Sequence, residues 1–175
     1  MFRGIAIVVV VVIAALLAYA AIQPDTFRVE RATSIKAPPE RVFALINDYR
    51  SWGAWSPWEK MDPEMKRSFS GPASGKGSQY AWEGNSKVGA GRMEITDSLP
   101  PSRVALKLDM LKPFEAHNAI EFRLEPRGDA SYVSWTMSGP QPYLAKLVCI
   151  FVSMDAMVGK DFETGLANLK AAAEK

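Results

Sequence analysis

Three stretches in the second half of the chain alternate between apolar and polar residues, and this pattern restricts the possible folds more than any other feature. The stretches are residues 103–110, 114–125 and 132–138, and Asn118 alone interrupts the apolar series. Successive side chains of a β-strand point to opposite faces, so this alternation is typical of strands with one buried face. Turn-forming sequences such as Lys112-Pro113 and Gly128-Asp129 separate the stretches. The pattern therefore predicts consecutive antiparallel strands.

Weaker patterns of the same kind precede them. Residues 27–36, 66–70, 78–83 and 91–99 each show a short strand-like run. Together with the three clear stretches they predict a sheet of about six to seven strands.

A short helix and a tryptophan-rich segment follow the first predicted strand. Pro39 suits a first helical turn, where its missing N–H would be unpaired anyway, and Glu40 favours the positive end of the helix dipole. Trp52, Trp55 and Trp58 come directly after this helix. Two interpretations of the tryptophans remain open at this point: they plug the end of the sheet, or they form the rim of a pocket and grip an apolar ligand.

The chain ends in an amphipathic pattern. Apolar residues recur at steps of three and four from Leu144 to Leu169, which predicts one long helix. Antiparallel strands with helices gathered on one face define the α+β class. A helix laid across a strongly curved sheet can leave an apolar cavity between the two.

The amino-terminal segment has a separate character. Residues 4–22 carry no charge, and as a helix they would measure about 28 Å, close to the roughly 30 Å of a bilayer core. We predict a membrane anchor in residues 1–24 and one soluble domain in residues 25–175. A cleaved secretory signal is the alternative, because Arg3 supplies a charged start and Ala18-Tyr19-Ala20 resembles a cleavage site. The flanking charges conflict, so the side of the membrane that the domain faces stays open.

Charge and composition exclude several classes of function. The net charge is +2 and the basic residues are scattered, so no surface for nucleic acid is expected. Cys149 is the single cysteine and His117 the single histidine, which excludes an internal disulfide and a multi-histidine metal centre. We expect no metal and no cofactor. Cys149 is expected to pack in the core, on the apolar face of the closing helix.

The junction at residues 35–43, the segment Trp55-Ser56-Pro57-Trp58-Glu59 and the closing helix resemble the SRPBCC superfamily. Its fold is the START-like helix-grip fold, and the match is to the bacterial polyketide cyclase/dehydrase-like group, over residues 27–173. The resemblance implies a curved antiparallel sheet around a long carboxy-terminal helix, with an apolar cavity between them. It implies no single activity, since members range from lipid carriers to cyclases.

The inward faces of the strands, the tryptophans and the closing helix supply the predicted ligand-binding residues. These are Trp55, Trp58, Tyr80, Trp82, Met93, Leu106, Leu108, Asn118, Ile120, Trp135, Met154 and Val158. Burying Asn118 without a partner would cost about 1–3 kcal/mol, so it should bond a ligand, Tyr80, a water or a structural group. His117 falls on the outward face, and no carboxylate lies on the inward face of the two clearest strands.

These features favour a membrane-tethered protein that binds a hydrophobic small molecule or lipid, as a single-pass protein of the bacterial inner membrane. An alternative is a polyketide cyclase or dehydratase, with Tyr80 and Asn118 orienting the substrate. A third possibility, from another class, is a structural or chaperone-like partner of a membrane complex. The sequence leaves open the identity of the ligand, the oligomeric state and whether a reaction occurs.

Overall fold

A computed structural model describes residues 2–175 of the chain. Seven antiparallel strands form one sheet in the order β1-β7-β6-β5-β4-β3-β2. The strands are β1 Thr26–Ile35, β2 Lys66–Ser70, β3 Gln79–Glu83, β4 Ala90–Leu99, β5 Arg103–Lys112, β6 Ala116–Arg127 and β7 Ala130–Pro140. Every neighbour in the sheet except β1 and β7 is also consecutive in sequence, as the short turns predict. The predicted α+β class is confirmed.

Residues 2–175 also form five α-helices and one 3₁₀ helix. They are α1 Phe2–Ile22, α2 Pro39–Asn47, the 3₁₀ helix Tyr49–Ala54, α3 Trp58–Met61, α4 Tyr143–Cys149 and α5 Met154–Ala173. Helix α2 buries its apolar face, Val42, Phe43 and Ile46, against the concave side of the sheet. Helix α5 runs along β1 on the same side.

The strand register brings the predicted inward residues into rows. One row crosses four strands: Leu106 lies opposite Ile120, Ile120 opposite Met137, and Met137 opposite Val29. These four side chains are buried. The period-two pattern of β5, β6 and β7 therefore reports the concave face correctly, because helices cover that face, whereas most side chains of the other face are at least partly exposed.

Aromatic rings fill the centre of the concave side. The Trp135 ring stacks on Phe162 of α5 at 4.1 Å between centroids, and it lies 4.9 Å from Phe122 and 5.6 Å from Trp55. Aromatic pairs at such distances contribute about 0.5–1.5 kcal/mol beyond the area that they bury. These contacts hold α5 and the tryptophan segment against the sheet.

The structure places two of the three tryptophans in the core. Trp52 and Trp55 are buried, and their indole N–H groups donate to the carbonyl oxygens of Ile46 and Leu45 at 2.9 and 3.0 Å. Trp58, at the start of α3, is half-buried. The first two are core residues, and only Trp58 keeps an exposed edge.

The predicted closing helix is two helices rather than one. The chain leaves the helical path at residues 150–153, and α5 starts afresh where the Ser153 hydroxyl accepts from the Ala156 N–H at 3.1 Å. The first part, α4, does not cover the sheet but lies beside α1. Its apolar residues Leu144 and Val148 are 75% and 59% exposed. The helical spacing persists through both helices, but each directs its apolar face to different surroundings.

Helix α1 is long and apolar enough to cross a bilayer, and nearly all of it is exposed. A secretory signal would meet the same criteria of length and composition.

Candidate functional site

A pocket of about 340 Å³ opens where α1, β1, α4 and α5 meet. It is lined by Tyr19, Gln23, Phe27, Arg28, Val29, Gln141, Lys146, Cys149, Ile150, Ser153, Met154 and Asp155. The site therefore combines residues from the end of the apolar amino-terminal helix with residues of the folded domain.

The floor of this pocket is apolar and continuous with the core. Val29 is 2% exposed and belongs to the central cluster of buried side chains. Phe27 and Met154 are half-buried and pack against that cluster. An apolar group that enters the pocket would therefore contact the edge of the hydrophobic core.

Asn118 and Gly139 shape the sheet beside Phe27. Phe27 lies opposite Gly139 in the β1–β7 register. A Cβ atom at position 139 would collide with the Asn118 Oδ1 atom, so the glycine leaves room for that side chain. Asn118 is 8% exposed, and both its side chain and the Phe27 ring lie against Gly139.

A buried lysine fixes α4 at the rim of the pocket. The Lys146 ammonium lies 2.6 Å from the Asp25 carboxylate, with the lysine side chain 6% exposed and the aspartate 94% exposed. Hydrogen bonding and the lysine charge lower the pKa of Asp25. A buried charge is costly unless it is paired, so this contact ties α4 to the segment between α1 and β1.

Ion pairs fix the opposite wall. The Arg31 guanidinium on β1 bonds Asp155 and Glu163 of α5, each at 2.7 Å. These carboxylates raise the pKa of Arg31. Gly159 lies under the guanidinium, where a larger residue would displace it. The first turns of α5 are thus held against β1, and with them the wall formed by Met154.

Of the twelve predicted site residues, Met154 lines this pocket. The other eleven lie outside this pocket, buried in the core or packed against it: Trp55, Trp58, Tyr80, Trp82, Met93, Leu106, Leu108, Asn118, Ile120, Trp135 and Val158. Three of them, Trp55, Leu106 and Trp135, are at most 2% exposed. Side chains occupy the space between sheet and α5 where the resemblance implies a cavity.

Tyr80 and Asn118 are not brought together. They share a register row through Met93 and Leu108, which places them three strands apart, about 14 Å along the sheet. The Tyr80 hydroxyl donates to Glu59 at 2.5 Å. Burial, and then this hydrogen bond, raises the pKa of Tyr80.

Glu59 was not among the predicted site residues. Its second oxygen accepts from Arg67 at 2.7 Å, so the carboxylate bridges α3 to β2 and β3. A carboxylate on a four-residue helix has no periodic pattern that would point to its partner. The one sequence feature that could have drawn attention to Glu59 is its position directly after Trp58, which packs on the core.

The outer face of the sheet carries a polar cluster around Asp109. This carboxylate is 4% exposed and lies 2.6 Å from His117, 3.0 Å from Arg92 and 3.1 Å from Lys107. The hydrogen bond to His117, followed by Lys107 and Arg92, lowers the pKa of Asp109 to about 2 despite its burial. His117 lies on the outward face, as its parity predicts. A smaller opening of about 210 Å³ lies beside this cluster, and two of the predicted site residues, Tyr80 and Met93, are part of its lining.

Several residues that line the pocket were not predicted as site residues. Cys149, expected in the core, is half-buried in the pocket wall. Gln23, Gln141 and Lys146 are polar residues in a hinge, a turn and a short helix, where no periodicity identifies an inward face. Among residues 2–175, no three His, Cys, Asp or Glu side chains are placed to hold a metal ion.

Comparison with known proteins agrees with this architecture. A sequence model of the family described as "Polyketide cyclase / dehydrase and lipid transport" matches residues 26–174. No curated protein matches the chain. The crystal structure of a protein from Chromobacterium violaceum is 15% identical, with 87% of this chain and 99% of that chain covered and a TM-score of 0.59.

Two further structures come from a bacterium and a plant. The Aha1 dimer from Colwellia psychrerythraea is 20% identical, with 85% of this chain and 96% of that chain covered and a TM-score of 0.61. Major latex-like protein 151 from Panax ginseng is 13% identical, with 87% and 100% covered and a TM-score of 0.63. At these identities the structures show a shared fold alone. The family match over nearly the whole domain shows more: this chain belongs to the SRPBCC-type family of polyketide cyclase/dehydrase and lipid transport proteins.

Proposed function

We propose that this chain is a membrane-tethered binding protein for a hydrophobic small molecule or lipid, and that the ligand enters through the pocket beside α1. The proposal rests on the lining of this pocket, which combines a residue of the apolar helix with residues of the hydrophobic core. Its walls include Tyr19 of the apolar helix, and its floor includes Val29 of the hydrophobic core. Lipid transport in the description of the family supports the class of ligand.

The dimensions and lining suit an amphiphilic ligand. A volume of about 340 Å³ accepts a small molecule or part of a lipid chain, near the lower end of the roughly 300–1,000 Å³ typical of ligand sites. Phe27, Val29 and Met154 offer apolar contact, while Gln23 and Gln141 offer hydrogen bonds at the rim. An apolar group would point toward the core and a polar group toward solvent.

The deeper predicted residues would form the inner end of the site. Val158 lies one turn after Met154 on α5, and it and Trp58 are half-buried against the core. Trp58 also contacts the Trp135 ring, at 5.8 Å between centroids. A ligand longer than the pocket would have to move side chains along this path, at the expense of the aromatic contacts.

Helix α1 is the proposed tether. Its 21 residues measure about 31 Å as a helix, sufficient for the hydrocarbon core of a bilayer. A tether of this kind would keep the pocket at the membrane surface, where apolar ligands partition. The proposal extends to a single-pass location in a bacterial inner membrane.

A pair of substitutions tests the pocket. Ile150→Trp fills the pocket, whereas Val152→Trp adds the same side chain two residues away, outside the lining. The full chain in detergent micelles is titrated with a BODIPY-labelled fatty acid, and fluorescence anisotropy is read against empty micelles. We expect Ile150→Trp to weaken binding at least tenfold and Val152→Trp to leave it within twofold. Equal binding by both variants, or none by the unmodified chain, would contradict the proposal.

A cyclase- or dehydratase-type enzyme is the second candidate. The hydrogen bond from the Tyr80 hydroxyl to the Glu59 carboxylate favours it, because this pair offers a proton donor and an acceptor on the concave side of the sheet. Such an enzyme requires that Tyr80→Phe and Glu59→Gln abolish turnover of a poly-β-ketone thioester while the fold persists. A binding protein without catalysis shows no turnover above the uncatalysed rate with any of these chains.

A further inference from the structure

Six exposed apolar side chains gather at one end of the domain, which we call the apolar end. They are Leu111, Phe114, Leu144, Val148, Phe151 and Val152, and their exposed fractions range from 47% to 81%. Exposed apolar residues that occur singly are common in soluble proteins, but a contiguous group marks a surface that is covered by something else.

The strand pairing explains why they share one end. Met110 near the end of β5 lies opposite Ala116 at the start of β6, so the β5–β6 connection with Phe114 lies there. The start of β6 lies beside the end of β7, and Thr26 at the start of β1 lies opposite Pro140 at the end of β7. The last turn of α1 and the first turn of α4 therefore lie at this same end of the sheet.

Helix α4 reaches back along α1. The Tyr143 hydroxyl donates to the Leu17 carbonyl oxygen at 3.0 Å. Leu17 precedes the last residue of α1, Ile22, by about 7.5 Å along the helix axis. With α1 across a bilayer, α4 would lie at the depth of roughly 5–10 Å that interfacial helices occupy, and Tyr143 would lie in the aromatic belt.

The one charged side chain of α4 lies on the opposite side of the helix from its exposed apolar residues. Lys146 is buried and pairs with Asp25 on the side of the domain. Leu144 and Val148 are exposed on the other side of the same helix. The helix thus separates its ion pair from its apolar residues, as an interfacial helix does.

We infer that the apolar end is a membrane-docking surface. Helix α4, residues 150–152 and the β5–β6 connection insert into the bilayer beside α1, so that the pocket opens against lipid. The partner is the bilayer rather than a second copy of the chain, because the surface is continuous with a helix of membrane-spanning length. This inference rests on the tether in the proposed function.

Depth-dependent quenching tests it with the full chain. A Cys149→Ala background receives one NBD-labelled cysteine at a time in nanodiscs of phosphatidylcholine, with or without doxyl-labelled lipid. Phe114→Cys and Phe151→Cys probe the apolar end. Val12→Cys, in the middle of α1, reports on the tether. Leu99→Cys is the matched control, because Leu99 is also apolar and 50% exposed but is the last residue of β4, at the opposite end of the sheet.

We expect doxyl lipid to quench at least half of the fluorescence at positions 12, 114 and 151 and to leave position 99 unchanged. Quenching at 12 alone would overturn the docking surface and leave the tether standing. No quenching at 12 would overturn both. Labels at 114 and 151 that are shielded from aqueous iodide but not quenched by doxyl lipid would show contact with a second copy, which also overturns the inference.

Discussion

Tyr80 has a hydroxyl that could bind a ligand, but in the structure this hydroxyl bonds another residue of the domain. The sequence placed Tyr80 among the predicted ligand-binding residues, and in the structure its hydroxyl bonds Glu59. The alternation of β3 gives the face of the side chain correctly. The alternation could not predict the hydrogen-bond partner of Tyr80, because Glu59 belongs to a separate short helix whose position depends on how the tryptophans pack.

Tyr80→Phe should therefore lower stability without affecting the ligand. A hydrogen bond to a charged carboxylate contributes about 1.5–3 kcal/mol, so we expect a loss of that order in the free energy of unfolding by urea. Fatty-acid binding should stay unchanged, because Tyr80 does not line the pocket beside α1. Tyr132→Phe is the control, since that ring packs under Arg127 on the domain surface. Loss of binding without loss of stability would place Tyr80 in the site.

Asp109 should make stability depend on acid pH. Its pKa in the folded chain is lowered to about 2, so the unfolded chain binds its proton first as pH falls. The stabilisation is complete above the ordinary carboxyl pKa of about 4 and is lost between about pH 4 and pH 2. Asp109→Asn should be less stable at pH 7, and the difference from the unmodified chain should shrink across that interval.

Unfolding of both chains by urea from pH 2 to pH 7 measures this. Asp129→Asn is the control, because Asp129 is exposed in the β6–β7 turn. A difference between the Asp109 variant and the unmodified chain that is constant with pH would refute the assignment.

Cys149 offers a direct report on occupancy of the pocket. It is the sole cysteine and lies in the pocket wall. A bound ligand should therefore slow its alkylation by N-ethylmaleimide, by at least threefold at saturating fatty acid. A Cys149→Ala chain with Val152→Cys carries its thiol outside the lining, and its rate should not change. Equal rates with and without ligand at both positions would place the ligand elsewhere.

Among the elements, α5 depends on a close approach to the sheet at Gly165. A Cβ atom there would lie 2.7 Å from the Trp135 ring and 3.2 Å from Pro57, neither of which can move freely. Alanine gains about 1 kcal/mol of helix propensity over glycine, but overpacking typically costs about 1–3 kcal/mol. We expect Gly165→Ala to be destabilised in thermal unfolding and Gly53→Ala, which meets no atom within 4 Å, to be unaffected. A stabilised Gly165→Ala chain would show that α5 is free to shift.

An element could be predicted from the sequence when its two faces differ strongly in burial. Buried residues alternate with exposed or half-buried ones along β6 and along most of β5 and β7, so the apolar alternation of these strands is clear. Strand β2 is an edge strand with hardly any buried residue, and it left only a weak pattern. The division of α4 from α5 was missed because apolar spacing continues across it. Ser153 as a helix cap, with Asp155 in the first turn, was the one local indication.

The pocket was harder to predict than the fold for a physical reason. Its floor comes from residues with a clear period, such as Met154, whereas its rim comes from a hinge, a turn and a seven-residue helix. Polar residues in such connections carry no periodicity, and their positions follow from how α1 and α4 pack. The residue pattern therefore predicts the apolar interior but not the opening that leads to it.

In the molecule as a whole, the apolar helix, the pocket and the apolar end lie at the same end of the domain. Helix α1 meets the domain at the end of the sheet where the pocket opens and where α4 exposes its leucine and valine. In the account proposed above, the tether fixes this end at the bilayer, the apolar end docks on it, and a ligand moves between lipid and pocket without crossing water.

Native mass spectrometry of the intact chain tests the central claim most directly. The chain is purified from membranes in mild detergent, the micelle is removed in the gas phase, and the mass of any retained molecule is read and identified. We predict an apolar or amphiphilic molecule bound one to one, present with Val152→Trp and lost with Ile150→Trp. A chain that carries no such molecule and takes up no fatty acid when supplied with it would contradict the account.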